Sequence, residues 1–487
     1  MSDVRLHAKL LIDGKHVAAD SEETRDLRNP ATGELLASVA VAGAREIDAA
    51  VRCAHEAFYR GGWRNLNSRE RGRLLLQLAG LIREHAEELA RLETQNVGKP
   101  IREAREEVQL AADCFEFYAG ALNKIGGRTV PVAAQGISMT FREPVGVCGL
   151  ITPWNFPIAI TSWKVAPALA MGNTIVLKPA SQTPLTALRL GELALAAGFP
   201  AGVFNVVPGS GSVVGNALVC HPLVRKISFT GSTEVGTQVM KLAANDIKRV
   251  TLELGGKSAN LVFADADLEA AVNGAVWGVL GNAGQDCCAR SRLLVERSIF
   301  DEFTRHVAEK FLAIRVDDPL RAETEVGSLI SLSHRERVMN YLALGQAEGA
   351  KLVCGGEIPP QQELQHGAFL TPALFTGVTA QMRIAQEEIF GPVLCAIPFD
   401  NEAQAIALAN DSSYGLSGSI WTKDVQRALR VARSIETGVL SINSAHSVHL
   451  EAPFGGFKRS GLGRELGVEV LDHYSELKSV YLRIAET

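Results

Sequence analysis

Along the chain, stretches of helical periodicity alternate with short β-branched runs, and the character of that alternation changes from one region to the next. Over residues 1–40 the apolar Leu10, Leu11 and Ile12 precede the turn-rich Arg28-Asn29-Pro30-Ala31-Thr32-Gly33, which predicts an edge hairpin of scaffolding type. From Ser68 the residues Leu74, Leu75, Leu78, Leu81, Ile82, Leu89 and Leu92 recur at helical spacing until Gly98 and Pro100, predicting one long amphipathic helix. A second helical pattern covers 102–122. Residues 128–142 then turn to strand-like alternation, with Val130, Val132, Ile137, Met139 and Phe141.

From Val145 the pattern becomes strand, helix, strand, helix. Runs at 145–151, 174–178, 203–207 and 226–230 read as short buried strands separated by helical stretches. This predicts an α/β fold with a parallel sheet covered on both faces, in which ligands bind beyond the carboxyl ends of the strands. A further strand pair, 249–254 and 259–263, flanks Gly255-Gly256, and the α/β alternation then repeats to about 455 as a second domain. The tail, with Leu477, Val480, Tyr481, Leu482 and Ile484, is strand-like again. A terminal strand needs a sheet to join, and the 128–142 segment of a neighbouring subunit is the expected partner.

At 487 residues the chain exceeds one ordinary core, consistent with two large domains and a smaller element. Hydrophobic content of 47%, charged content of 21% and a net charge of -5 describe a soluble globular protein without a basic patch for nucleic acid. No run approaches the ~18 apolar residues of a membrane helix, and the N-terminal stretch 1–12 lacks a long apolar run of signal-peptide type, so a cytoplasmic location is expected. Eight cysteines without C-x-x-C spacing imply free thiols in a reducing compartment. Eleven histidines without H-E-x-x-H spacing leave no expected metal site.

Several stretches carry candidate chemistry. The glycines at 209, 211 and 215 follow a strand but space as G-x-G-x-x-x-G, more like a structural turn than a dinucleotide fingerprint. Gly256-Lys257-Ser258 ends like a phosphate loop, yet Thr251 stands where its first glycine belongs. Gly231-Ser232-Thr233-Glu234-Val235-Gly236 opens a helix after a strand, and its hydroxyls fit either an anion site or a simple cap. Asn155, Lys178 and Glu253 each end a strand where ligands bind. Cys287 and Cys288 sit in a small-residue turn, where packing would be the ordinary fate of a cysteine.

Together, PWNFP (153–157), KPASQTP (178–184), FTGSTEVG (229–236), LELGGKS (252–258), GQDC (284–287), EEIFGP (387–392) and PFGGFKRSGLGRE (453–465) resemble the aldehyde dehydrogenase superfamily, in its order and almost end to end. The resemblance implies a Rossmann-like cofactor domain (1–123 and 144–255), a catalytic domain (256–455), a return segment (456–472) and a small β oligomerisation element (124–143 and 473–487). It further implies a homodimer or homotetramer, NAD or NADP as cofactor, and oxidation of an aldehyde to its acid.

By the same resemblance Cys287 is the nucleophile, Asn155 with the Cys287 backbone the oxyanion site, and Glu253 the base that activates water for thioester hydrolysis. Glu253 favours a free acid over an acyl-CoA product. Lys164 and Glu465 match positions linked to support of the site and proton movement. The cofactor contacts implied are Ile151, Thr152, Trp154, Lys178, Ser181, Gly211, Phe229, Gly231, Ser232, Leu254, Glu388 and Phe390. Ser181 departs from the glutamate frequent in NAD-preferring relatives, so use of NADP as well as NAD is expected, with NADP preferred.

The implied aldehyde channel comprises Phe156, Ile160, Trp163, Asp286, Cys288, His446, Val448, His449, Leu450 and Phe454. Its apolar character favours a medium aliphatic or aromatic aldehyde. Trp163, where semialdehyde relatives carry arginine, disfavours a dicarboxylate semialdehyde. Asp286 and Glu451 fit a cationic amino-aldehyde, whereas 106–110 lacks the aspartate cluster of amino-aldehyde relatives. A thiol esterase and a non-catalytic structural protein are the readings from other classes. The full cofactor set argues against the first, and the joint presence of Cys287, Glu253 and Asn155 against the second.

Overall fold

The computed structural model describes residues 6–484. Its first sheet has eight strands. Five run parallel in the order Arg249–Glu253, Val224–Thr230, Val147–Ile151, Thr174–Lys178 and Phe204–Val206. The hairpin Leu10–Ile12 and Lys15–Val17 closes one edge in antiparallel sense, and Gly461–Leu462 closes the other beside Arg249–Glu253. Strands Val147–Ile151 and Thr174–Lys178 are buried at every position, as a sheet covered on both faces requires. Their carboxyl ends deliver Ile151, Lys178, Thr230 and Glu253 to one rim.

The second sheet has seven strands in the order Lys351–Cys354, Ala373–Thr376, Val393–Phe399, Arg292–Glu296, Ala259–Val262, Ser417–Trp421 and Val439–Ile442. All its pairings are parallel except the first. Strands Arg249–Glu253 and Ala259–Val262 therefore do not pair with each other, contrary to the sequence expectation. The chain crosses at Gly255-Gly256 from one sheet to the other, which is why two adjacent strand patterns stand side by side in the sequence. Separate hydrophobic cores lie under the two sheets, one around Phe204, Leu150 and Phe115, the other around Phe263, Phe303 and Phe375.

The long helix expected over 68–98 is two, Ser68–Glu84 and Ala86–Val97. The break is at His85, with φ -97° and ψ 19°, whose ring meets Glu88 at 2.7 Å. Leu75, Leu78 and Ile82 on one side of the bend and Leu89 on the other still enter the same core, so the apolar period runs through the break unmarked. The helical pattern at 102–122 is Ile101–Ala121. The 28–33 turn joins Thr24–Arg28 to Leu35–Ala40 in a separate three-stranded sheet.

Ser475–Arg483 pairs antiparallel with Gly136–Pro144 of its own chain, Leu482 opposite Ile137 and Ser475 opposite Pro144. This corrects the expected pairing with a neighbouring subunit. The intervening chain returns Ser475 beside Pro144 without a second copy. Among the described residues no helix is long and apolar enough to cross a membrane.

Candidate active site

The helix Pro157–Ala170 explains how Asn155 is presented. Pro157 takes a first-turn position, where its missing N–H costs nothing, and every residue of the helix is buried. The loop before it is thus pinned between sheet and helix. Asn155, 3% exposed, donates its Nδ2 to the Gln285 carbonyl at 2.9 Å and accepts at its own carbonyl from Asn282 Nδ2 at 2.8 Å.

Those partners belong to the cysteine turn. Asn282 and Ala283 hold left-handed backbone (φ 49° and 54°) with Gly284 following at 73°. Two consecutive non-glycine residues there store strain of about 1–3 kcal/mol each and persist only where neighbours over-determine them. At Gly284 a side chain would run into the Gly391 backbone, so glycine alone fits. Beyond the turn the side-chain donor atoms of Asp286, Cys287 and Cys288 lie within 4.8 Å of one another, and Asp286 accepts the Cys288 N–H at 2.9 Å. The hydrogen bond with Cys288, together with burial, pushes the Cys287 thiol well above its usual range.

Cys287 lines two cavities. The first, about 630 Å³, is walled by all the expected cofactor residues: Ile151, Thr152, Trp154, Lys178, Ser181, Gly211, Phe229, Gly231, Ser232, Leu254, Glu388 and Phe390. Ser232 caps the helix Thr233–Ala243 through Val235 N–H at 3.4 Å and also faces the cavity, so capping and cavity lining coincide in one residue. Gly211, read from its spacing as part of a structural turn, lies on the wall too. Lys178 Nζ donates to the Pro179 carbonyl at 2.9 Å, and burial lowers its pKa to about 8. Glu388 accepts the Gly256 N–H at 2.9 Å and is pushed by burial up to about 7. Trp154 stands edge-on to Phe390, ring centres 5.2 Å apart.

The second cavity, about 780 Å³, is walled by Phe156, Ile160, Trp163, Asp286, Cys288, His446, Val448 and Phe454, together with Glu253, Glu465 and Cys287. His449 and Leu450, expected here, are not on its wall. Glu253 is 3% exposed, and neither of its carboxylate oxygens has a hydrogen-bond partner among the described residues. Burial raises its pKa well above the ordinary carboxylate range; Glu465 adds to this, and Lys164 and Arg464 oppose it.

Lys164, expected to support the site and proton movement, lies on neither wall. It is fully buried, ion-paired to Glu465 and donating to Ser228 Oγ at 3.0 Å. It reaches the cavity only through Glu465.

The geometry is that of a thiol at the meeting point of a dinucleotide-sized cleft and an apolar channel, and residues 16–480 match the model of the aldehyde dehydrogenase family. The chain belongs to that family. It is 45% identical over 474 residues to betaine aldehyde dehydrogenase of Bacillus subtilis (strain 168), covering 97% of this chain and 96% of that protein. Among solved structures, betaine aldehyde dehydrogenase from Staphylococcus aureus in complex with NAD+ superposes with a TM-score of 0.97 at 40% identity, over 98% of this chain and 95% of that one. NAD-dependent aldehyde dehydrogenase from Sinorhizobium meliloti superposes with a TM-score of 0.97 at 43% identity, over 99% and 96%.

Aldehyde dehydrogenase motifs did not point to every wall residue. Ser331, Ser333, His334 and Arg337 reach the cofactor cavity from the helix Leu332–Ala347 and the residue before it. Arg102, Glu103, Glu106 and Glu107 reach the second cavity from Ile101–Ala121. The signal available for the latter was a run of carboxylates on a helix whose other side is apolar.

Proposed function

We propose that this aldehyde dehydrogenase oxidises aldehydes to carboxylic acids with NAD or NADP through a thioester on Cys287. The single observation that carries the reading is that Cys287 stands on both cavity walls, with Asn155 beside it and Glu253 in the second cavity. The first cavity suits a nicotinamide dinucleotide. Lys178 keeps donor capacity beyond its one bond, the start of the helix Thr233–Ala243 opens on the cavity where an anion would be favoured, and Gly255 leaves Glu388 room where a Cβ would press on its carboxylate. Bound there, the nicotinamide supplies the hydride acceptor. The NAD+ complex of the Staphylococcus aureus relative supports this choice.

In the second cavity the Cys287 thiol gives up its proton to water in the channel, and its sulfur attacks the aldehyde carbon. One N–H of the Asn155 amide is held by Gln285, and amide planarity then directs the other at the developing oxyanion. Once the carbon is oxidised the acyl group rests on Cys287 as a thioester. Glu253, whose lone pairs are unspent, takes a proton from the water that hydrolyses it. Glu465, paired with Lys164 on the same cavity wall as Glu253, lies close enough to Glu253 to raise its pKa.

Phe156, Ile160, Trp163, Val448 and Phe454 make the inner wall apolar, which supports a medium aliphatic or aromatic aldehyde. A second reading, a cationic aldehyde, is supported by the carboxylates on the wall, of which Glu106 is exposed, and by the betaine aldehyde dehydrogenase relatives. Coenzyme reduction with hexanal, benzaldehyde and betaine aldehyde decides between them. If the apolar reading holds, hexanal or benzaldehyde has the highest kcat/KM and Glu106→Gln leaves the order unchanged. A betaine aldehyde preference lost in Glu106→Gln establishes the second.

We further place the protein in the cytoplasm, which its eight free cysteines support. Leu477, Leu482 and Phe141, exposed on the small sheet, support a homodimer or homotetramer built through it.

A further inference from the structure

Asn155 and Cys287 are far apart in sequence and arise from different sheets, so their alignment needs a device of its own. The contacts around Asn282 supply it. Asn282 Nδ2 donates to the Asn155 carbonyl at 2.8 Å and to the Gln285 carbonyl at 3.3 Å, and Asn155 Nδ2 donates to that same Gln285 carbonyl at 2.9 Å. Gln285 closes the ring by donating its Nε2 to the Asn282 carbonyl at 3.1 Å, while its Oε1 accepts from Ile330 N–H at 2.8 Å. Three amides thus form a closed circuit two residues ahead of the nucleophile. Asn282 sits in left-handed backbone, a conformation that asparagine adopts as a single residue more readily than most side chains.

What holds Asn282 is a carboxylate from another element. Glu103, in the helix Ile101–Ala121, accepts the Asn282 backbone N–H at Oε2 at 2.8 Å. We propose that Glu103 and Asn282 are positioning residues that clamp the Asn155 amide to the cysteine turn, so that the oxyanion donor and the nucleophile move as one unit. The proposal rests on the thioester reading of Cys287. Glu103 reaches the wall of the second cavity, yet its Oε2 is spent on the Asn282 N–H of the turn, and Asn282 transmits that hold to Asn155 and Gln285. Loss of the clamp leaves the aldehyde channel's apolar walls in place, so binding changes little while the transition state loses its aligned donor.

The test is steady-state kinetics with hexanal and NAD+, each rate divided by the sites that iodoacetamide alkylates at Cys287. Glu103→Ala removes the acceptor and is expected to lower kcat about 10- to 100-fold with KM for hexanal within about 3-fold. Glu103→Gln keeps a carbonyl oxygen for the Asn282 N–H and is expected to recover most of that loss. Asn282→Asp sets an oxygen against the Asn155 and Gln285 carbonyls and is expected to lose kcat as Glu103→Ala does; it carries the test if Glu103→Ala fails to fold. The proposal is overturned if both variants keep the wild-type kcat per alkylatable site, or if Glu103→Gln is as impaired as Glu103→Ala. A parallel Cys287→Ala sample separates the two levels: coenzyme reduction surviving there defeats the thioester reading itself, whereas silence there beside full kcat in Glu103→Ala defeats only the clamp.

Discussion

Replacing Glu253 by Gln separates the chemistry of the site from its architecture. Both Glu253 carboxylate oxygens are buried and unpartnered, so the substitution breaks no hydrogen bond and changes the shape of the wall very little. What it removes is the capacity to accept a proton. A positioned general base contributes about 10²–10⁴ in rate, equivalent to about 2.7–5.4 kcal/mol at 1.36 kcal/mol per factor of ten. The loss should fall on thioester hydrolysis alone. Rapid mixing of Glu253→Gln with NAD+ and aldehyde is therefore expected to show a burst of reduced coenzyme approaching one equivalent per site, then a steady rate slower by about 10²–10⁴. A variant that loses the burst in proportion to the steady rate would refute the assignment of Glu253 to hydrolysis.

The same substitution makes a stability prediction of definite sign. Because burial raises the folded pKa of Glu253 above its unfolded value, the folded chain binds that proton more tightly. Its contribution to stability is fully present below the unfolded pKa of about 4.3 and is lost as pH rises through the folded value. Glutamine does not titrate. The Tm of Glu253→Gln relative to wild type should therefore climb between acid and alkaline pH, and a Tm difference that shrinks with rising pH contradicts the buried-carboxylate account.

Two other substitutions probe the walls. Ser181 donates to the Gly209 carbonyl at 2.9 Å beside Lys178, and Ser181→Glu sets a carboxylate there; kcat/KM with NADP+ should fall at least about tenfold relative to NAD+, and an unchanged ratio would show that Ser181 does not face the 2′ position. Asn155→Ala should slow the first turnover of hydride transfer about 10²–10³-fold in stopped flow, and a first turnover at the wild-type rate would exclude Asn155 as the oxyanion donor.

The parts of the site legible in sequence are those that end strands. Lys178, Glu253 and the 231–236 turn come directly after β-rich runs, and a parallel sheet delivers all such ends to one rim. Glu103 was not legible as a partner of the cysteine turn, because its contact spans two elements whose patterns carry no mutual signal. Lys164 was legible as a functional lysine, yet its burial behind Glu465 depends on how Pro157–Ala170 packs against the sheet. The His85 bend escaped for another reason. One residue of offset leaves the apolar stripes of both helices on the same core, so hydrophobic periodicity alone cannot register it.

The account's central claim is that Cys287, and not its neighbour Cys288, carries the acyl group. Acid-quenched Glu253→Gln, incubated with NAD+ and hexanal and then digested, can be read by mass spectrometry at the peptide holding both cysteines. The account predicts a hexanoyl mass increment on Cys287 that is absent when Cys287→Ala is added; an increment on Cys288, or acid product formed by Cys287→Ala at the wild-type rate, would contradict it.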